Sequence, residues 1–167
     1  MDSITQYVMG SAIGQLVLGP KHKGKGALIG GIAGTLPDLD VIPLRNASVI
    51  DQLVYHRGVS HSVLVCILAP FILSWICKKL ISWDISFRRW YIFWLLAFLT
   101  HVFLDLMTSW GTQLFWPHPA RLSLDSLFII DPLVTLPLLI GCAWSAWSRS
   151  RRPVKWGLVI ASIYMMF

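Results

Sequence analysis

The chain has 167 residues, of which 56% are hydrophobic and only 13% are charged, and its mean hydropathy is +0.66. These values exclude an ordinary soluble domain of this size and indicate an integral membrane protein. The net charge of +6 lies in short clusters at the ends of apolar segments, which indicates membrane orientation and argues against nucleic-acid binding.

The apolar segments follow one another with polar stretches between them. Residues 4–19 and 27–36 are both shorter than the roughly 20 residues that span a bilayer, so we expect a hairpin packed against longer helices. The later apolar segments are residues 63–81, 90–107, 127–147 and 154–167. The sequence therefore predicts an all-α, polytopic membrane protein with about five to six apolar helices, some of them short.

We expect these helices to form a single membrane-embedded domain over residues 1–167. Because the last apolar segment is only a fragment of a helix, we also expect a truncation at the C-terminal end, Phe167. The N-terminus does not resemble a cleaved signal peptide, because Asp2 is acidic and the positive charges follow the first apolar run. Three cysteines, Cys66, Cys77 and Cys142, stand singly in apolar runs and are predicted to be small buried side chains.

We assume that successive apolar segments cross the membrane in alternating directions. The basic residues then fall mostly on one side, and the aspartates and histidines fall mostly on the other. One side receives every lysine and arginine except Arg45, Arg57 and Arg121, so the positive-inside rule makes that side cytoplasmic. The opposite, extracytoplasmic side receives every aspartate except Asp84 and every histidine except His22. His22 lies in a basic loop and is discarded as a ligand.

Residues 95–117 set a histidine and a carboxylate into an otherwise apolar helix. His101 and Asp105 are four residues apart, so they share one helix face. An ionisable pair at membrane depth is costly unless it faces a cavity, a partner or a metal. The pair is therefore a candidate functional site, and the alternative is a pair that satisfies itself between packed helices.

A second polar cluster is the sequence PDLD at residues 37–40. The proline indicates that a helix ends or is interrupted there, so the chain can aim Asp38 and Asp40 inward. The alternative is a helix-terminal turn in which an aspartate serves only as a cap.

A third cluster is HRGVSHS at residues 56–62. His56 and His61 stand five apart across a glycine, a spacing that suits ligands on a loop entering a helix. Ser60 or Ser62 would be the N-cap of the helix that follows. The alternative is a surface loop with two solvated histidines.

Imidazole and carboxylate groups without thiolate or glutamate form a ligand set that suits a divalent metal, zinc first, with manganese or iron as alternatives. Such an ion would lower the pKa of a bound water and stabilise developing negative charge on a phosphoryl or acyl centre. Arg57, next to His56, would bind an anionic group such as a phosphodiester. No serine-nucleophile elbow, HExxH motif, Walker loop or dinucleotide fingerprint occurs.

Residues nearer the C-terminus supply further polar groups. Trp110 and Trp116 would line the mouth of a site or belong to an interfacial aromatic belt. Asp131 requires a partner, either a histidine or a free backbone amide. His118, between two prolines, is expected to be exposed.

Five motifs together resemble the YdjM-type family of bacterial inner-membrane, metal-dependent hydrolases: MDSITQ at 1–6, GTLPDLD at 34–40, HRGVSHS at 56–62, HVFLDLMTSWGTQLFWP at 101–117 and FIIDPL at 128–133. The family is distantly similar to zinc-dependent phospholipase C, in which an HxxxD helix supplies metal ligands and the substrate is a phosphodiester. Many relatives carry a histidine near the N-terminus where this chain has Thr5 and Gln6, so one ligand is either missing or replaced by Asp2. The metal positions that the resemblance implies are Asp38, Asp40, His56, His61, His101 and Asp105, and Asp2 is added as the replacement ligand.

Together these observations predict a membrane-bound, metal-dependent hydrolase with its metal site facing the extracytoplasmic side. It would cleave a phosphoester in a lipid or lipid-linked substrate, with Asp38 or Asp40 as both ligand and base and Arg57 as the anion-binding group. Two other classes stay open: a metal-ion or proton-coupled transporter using the same His/Asp cluster, and a non-enzymatic structural membrane protein. A hydrolase that acts on a peptide or an ester is a further alternative, because no motif identifies the leaving group.

Overall fold

A computed structural model describes residues 1–19 and 24–166, without the side chains of Leu53 and Val54. The expectations about His22 and about a truncation at Phe167 therefore lie outside the described residues. The α-helices are α1 (Ser3–Val17), α2 (Lys25–Thr35), α3 (Val41–Leu44), α4 (Val49–Tyr55), α5 (Val63–Leu80), α6 (Phe87–Leu106), α7 (Pro132–Ser148) and α8 (Arg152–Tyr164). The prediction of an all-α protein is confirmed, and the six longest apolar helices match the expected number.

Three helical stretches are long and apolar enough to cross a membrane, namely Lys25–Leu44, Val63–Leu80 and Phe87–Leu106. The first is longer than the sequence indicated, because α2 continues through a 3-10 helix, Leu36–Asp40, directly into α3. Pro37 removes one backbone donor there, and the chain tightens into the 3-10 form without leaving the helical path. The proline therefore interrupts the α-helix but does not end the span.

The helices begin where side chains can cap them. Ser62 is the N-cap of α5, because its Oγ accepts a hydrogen bond from the Val65 backbone N–H at 3.2 Å. Asp131 caps α7 by accepting from the Leu133 N–H at 3.0 Å, so α7 begins later than the apolar segment at residue 127. Of the two partners expected for Asp131, a backbone amide is the one found, together with the Tyr164 hydroxyl at 3.1 Å.

Helices α1 and α2 pack in close backbone contact through facing glycines. A Cβ atom placed on Gly10 would lie 2.2 Å from the Gly30 carbonyl oxygen, and one on Gly30 would lie 2.2 Å from the Gly10 oxygen. Only glycine permits this approach, which is typical of helix packing in membranes. The two helices also contact α6, so the expected hairpin against longer helices is present.

The two ends of the bundle differ in chemistry. At one end, Arg89 of α6 donates a hydrogen bond from Nε to the Val17 carbonyl oxygen at 2.7 Å, and the Arg151 guanidinium lies beside Gly19. Asp105 lies at the opposite end of α6, about 24 Å away along the helix axis at 1.5 Å per residue. The His/Asp residues of the candidate site therefore lie at the end of the bundle opposite these basic side chains.

Candidate metal centre

Four side chains from separate parts of the chain converge at that polar end. Asp38 comes from the 3-10 helix after α2, His61 from the turn before α5, and His101 and Asp105 from the last turns of α6. One nitrogen or oxygen atom from each lies within 4.8 Å of the other three. The Asp38 side chain is 20% exposed whereas the other three are buried, so Asp38 is the member that opens toward the surroundings.

The distances among these atoms match those of ligands around one small ion. The two histidine Nε2 atoms are 3.0 Å apart, and Asp105 Oδ2 is 3.0 Å from His61 Nε2 and 3.3 Å from His101 Nε2. Asp38 Oδ1 is 3.4 Å from each Nε2 atom. Tetrahedral bonds of about 2.0–2.1 Å place neighbouring ligand atoms about 3.3 Å apart. Five of the six distances are therefore close to the spacing around one zinc-sized ion, and the sixth, between the Asp38 and Asp105 oxygens, is at most 4.8 Å.

The His101 ring is oriented from behind by the backbone of α2. Its Nδ1–H donates a hydrogen bond to the Gly34 carbonyl oxygen at 2.6 Å. Because a neutral imidazole carries only one N–H, the proton on Nδ1 leaves a lone pair on Nε2, which points into the cluster. This is the usual arrangement of a metal-binding histidine and its supporting carbonyl.

The His61 ring is oriented in the same way by a serine. The Ser60 hydroxyl donates to Asp40 Oδ2 at 2.6 Å, so its oxygen accepts the hydrogen bond from His61 Nδ1 at 2.8 Å. His61 Nε2 therefore also presents a lone pair to the cluster. The sequence offered Ser60 only as a possible helix cap, and this supporting role was not foreseen.

Two imidazole lone pairs and two carboxylates at such short distances repel each other unless a cation lies between them. Asp38 Oδ1, although buried, accepts no hydrogen bond from any residue that the structure describes. A proton on one ring would relieve the repulsion between only some of these atoms, whereas a divalent ion would attract all four. The residues present therefore fit a divalent metal, and the donor set of two nitrogens and two oxygens suits zinc, manganese or iron.

The second oxygen of Asp105 is held by groups from other parts of the chain. Oδ1 accepts from Gln6 Nε2 at 3.1 Å and from Arg57 Nη2 at 3.2 Å, and it forms an ion pair with the Met1 amino group. These contacts turn Oδ2 toward the two histidines. Gln6 was missed as a site residue, although it lies where many family members are expected to carry a histidine.

Three of the predicted ligands lie beside the four-residue cluster. Asp40 Oδ1 pairs with His56 Nδ1 at 2.8 Å, and Asp40 reaches the cluster through Ser60. Asp2 caps α1 by accepting the backbone N–H groups of Ile4 and Thr5, each at 3.0 Å. The assignment of Asp2, Asp40 and His56 as direct ligands stays a prediction.

Arg57 occupies a strained position next to the cluster. Its φ angle of 60° lies in the left-handed region, which non-glycine residues seldom adopt, and such residues concentrate at functional sites. Its backbone N–H donates to Asp40 Oδ2 at 3.1 Å, which fixes the turn. The largely buried side chain lines a cleft of about 210 Å³ together with His56, Thr108, Trp110 and Ile129.

A second guanidinium lies near that of Arg57. Arg121 donates from Nη2 to the His56 carbonyl oxygen at 2.8 Å. Burial, and then the positive charge of Arg57, lowers the pKa of Arg121. Two cationic groups in one partly buried region favour the binding of an anion.

The fold and the cluster together define an α-helical membrane protein with a His/Asp centre that can hold a divalent metal. The chain belongs to the YdjM inner membrane protein family, whose sequence profile matches residues 1–167. The resemblance to that family is therefore confirmed, whereas no comparison shows a similarity to phospholipase C.

A more distant relative is the uncharacterized protein YfhP of Bacillus subtilis (strain 168). The two sequences are 28% identical over 99% of this chain and 51% of the relative. The chain thus spans about half the length of that curated relative. No solved structure matches the chain.

Proposed function

We propose that this protein is a metal-dependent hydrolase that cleaves a phosphoester in a lipid or lipid-linked substrate. The observation that supports it most is the convergence of Asp38, His61, His101 and Asp105 at the spacing of one coordination shell, next to a cationic cleft. When bound, a divalent ion at these donors supplies Lewis-acid polarisation and activates water for attack. Zinc is the proposed ion, with manganese and iron as alternatives.

Asp38 is the better placed of the two proposed bases. It is the most exposed member of the cluster, so it is the cluster carboxylate that a water molecule can approach. Asp40 already accepts hydrogen bonds from His56, Ser60 and the Arg57 backbone. In the proposed reaction a bond forms between water oxygen and phosphorus and the phosphorus–ester oxygen bond breaks. The water proton passes through Asp38 to the leaving oxygen.

Arg57 is the proposed anion-binding residue. Its guanidinium lies between Asp105 and the cleft, where a phosphoryl group would find two N–H donors in one plane. Arg121 adds positive charge to the same region, as its lowered pKa indicates.

The membrane location supports a lipid substrate. The cluster lies where three candidate spans end or begin, so a molecule already in the bilayer reaches it at headgroup depth. Because the basic residues collect at the other end of the bundle, the positive-inside rule supports an extracytoplasmic position for the cluster in the bacterial inner membrane.

The proposal is tested with detergent-purified protein that has been stripped by a chelator and then reloaded with zinc, manganese or iron. Release of 4-nitrophenolate from bis(4-nitrophenyl) phosphate should require the metal and should fall by about 100-fold or more in His101→Ala. His118→Ala, which changes a histidine in the exposed loop, is the matched control and should retain activity.

Arg57→Lys keeps the charge but loses the planar pair of donors, so the KM should rise while the metal content is retained. A wild-type protein that binds metal stoichiometrically but hydrolyses neither phosphodiesters nor phosphomonoesters would contradict the proposal. Metal-dependent uptake into proteoliposomes under the same conditions would then support the transporter class.

A further inference from the structure

An apolar groove of about 370 Å³ runs alongside the cluster between the end of α2 and helix α5. One face of α5 forms a wall of the groove. The α5 residues that line the groove are three or four positions apart, so they lie on the same side of the helix. Buried Phe98 of α6 also lines the groove, and Asp40 and Ser60 form its polar end. The remaining lining residues are Leu36, Pro37, Val65, Ala69, Ile72 and Leu73.

We propose that this groove binds one hydrocarbon chain of the substrate, which makes the substrate class a phosphate-bearing amphiphile that enters sideways from the bilayer. The catalytic part of this inference rests on the proposed hydrolase function, whereas the binding part does not. The groove is bounded by α5 and α6, both of which are candidate membrane spans, so it would open to the hydrocarbon region of the bilayer.

The size of the groove suits a slender ligand. Its volume of about 370 Å³ lies near the lower end of the roughly 300–1,000 Å³ that small-molecule pockets have. Ala69 has the smallest side chain among the α5 residues that line it, so Ala69 leaves the space that a slender chain would fill.

The polar end of the groove favours one orientation of the bound chain, with its head group at that end. Ser60 at that end bonds to both Asp40 and His61, so a chain in the groove points its head toward the cluster. The phosphate would then approach the metal that Asp38, His61, His101 and Asp105 would hold, past the end of the groove that Asp40 and Ser60 line. A lipid that merely fills a surface crevice has no reason to adopt this polarity.

A second apolar groove serves as an internal comparison. It has a volume of about 580 Å³ and lies between α7 and α8, lined in part by Leu136, Ile140 and Trp156. Its lining contains Arg152 but no histidine or aspartate among the described residues, so it offers a cationic group but no set of metal ligands. Bulk lipid should occupy both grooves, and a phosphate amphiphile should depend on a bound metal only in the groove beside the cluster.

The test uses the full chain in phosphatidylcholine nanodiscs and hexadecyl phosphate carrying a diazirine at the end of its chain. After photolysis, mass spectrometry maps the labelled positions. We expect labelling on residues 65–73 that unlabelled hexadecyl phosphate suppresses by about tenfold and that methyl phosphate does not suppress, since each buried methylene adds to the affinity. Labelling between α7 and α8, where Arg152 can pair with a phosphate, should be the same with and without the metal.

Variants of α5 test the groove directly. Ala69→Trp should reduce the suppressible labelling by about tenfold, because the indole fills the space for the chain. Ile67→Trp is the matched control, since it places the same side chain on the opposite face of α5 at an exposed position. If Ala69→Trp fails to fold, as judged by circular dichroism, Ile72→Trp takes its place because Ile72 is exposed and tolerant of size.

The outcomes separate the two proposals. Suppressible labelling in wild type without turnover of phosphodiesters or phosphomonoesters supports the groove and rejects the hydrolase function. Turnover in wild type without suppressible labelling rejects only the groove. The groove assignment is also overturned if folded Ala69→Trp and Ile72→Trp proteins are labelled as strongly as the Ile67→Trp protein.

Discussion

His61 and His101 point their Nε2 atoms at each other across 3.0 Å, and each ring is held in place by a hydrogen bond at its other nitrogen. The two lone pairs meet between the carboxylates of Asp38 and Asp105. The two histidines are therefore placed as two of the four ligands of a metal ion would be. The first prediction tests this arrangement.

The wild-type protein should contain one divalent metal per chain, and both His101→Ala and Asp38→Ala should lose it, because each removes one of four donors. Mass spectrometry of the detergent-purified proteins measures the metal content. His118→Ala should match the wild type, since His118 lies in an exposed loop. If the wild-type protein keeps its helicity but contains no metal after reconstitution, the prediction of a metal site is wrong. The cluster would then only hold the helices together.

Ser60→Ala should weaken metal binding by about 10–100-fold, because His61 loses the hydroxyl that fixes its tautomer and orientation. Competition with a chromogenic chelator measures the affinity. Ser60→Thr keeps the hydroxyl and should restore most of the affinity. Ser48→Ala removes a comparable hydroxyl that caps α4, and it should leave the affinity unchanged; equal effects of the two alanine variants would contradict the role given to Ser60.

Gly10→Ala should lower the free energy of unfolding by about 3 kcal/mol, because the new methyl group would overlap the Gly30 carbonyl oxygen and push α1 away from α2. Thermal unfolding in detergent measures the loss. Metal affinity should fall as well, since α1 carries Gln6 and α2 precedes Asp38. Leu28→Ala, on an exposed face of α2, is the control; a Gly10→Ala protein as stable as this control would mean that the contact can relax.

The proposed orientation predicts which loops react with membrane-impermeant reagents. In a background without Cys66, Cys77 and Cys142, the variant Asn46→Cys should react with a charged maleimide applied to intact spheroplasts. Asp84→Cys, exposed at the basic end, should react only after permeabilisation. The reverse pattern would place the His/Asp cluster on the cytoplasmic side.

Local periodicity was sufficient to predict the long helices and the shared face of His101 and Asp105. It could not decide between Asp38 and Asp40, because that choice depends on the backbone form after Pro37. In a 3-10 helix, with three residues per turn, positions two apart point in different directions. Asp38 therefore faces the cluster while Asp40 faces His56 and Ser60.

Other parts of the site have no signature that a single sequence reveals. The Gly34 carbonyl that orients His101 is a backbone group, which every residue possesses. Gln6 contacts Asp105 through its amide nitrogen, and a search for histidine and carboxylate ligands passes over a glutamine. Both contacts join segments far apart in the chain and depend on how α1 and α2 pack against α6.

The four donors are distributed from the end of α2 to the last turn of α6. During synthesis, the shell cannot exist until α6 has entered the bilayer and its final turn has met the earlier helices. An ion held by the four side chains would therefore bind only after α6 has packed against the earlier helices. It would come from the compartment toward which Asp38 opens, and the metal supply of that compartment would help to decide which ion is loaded.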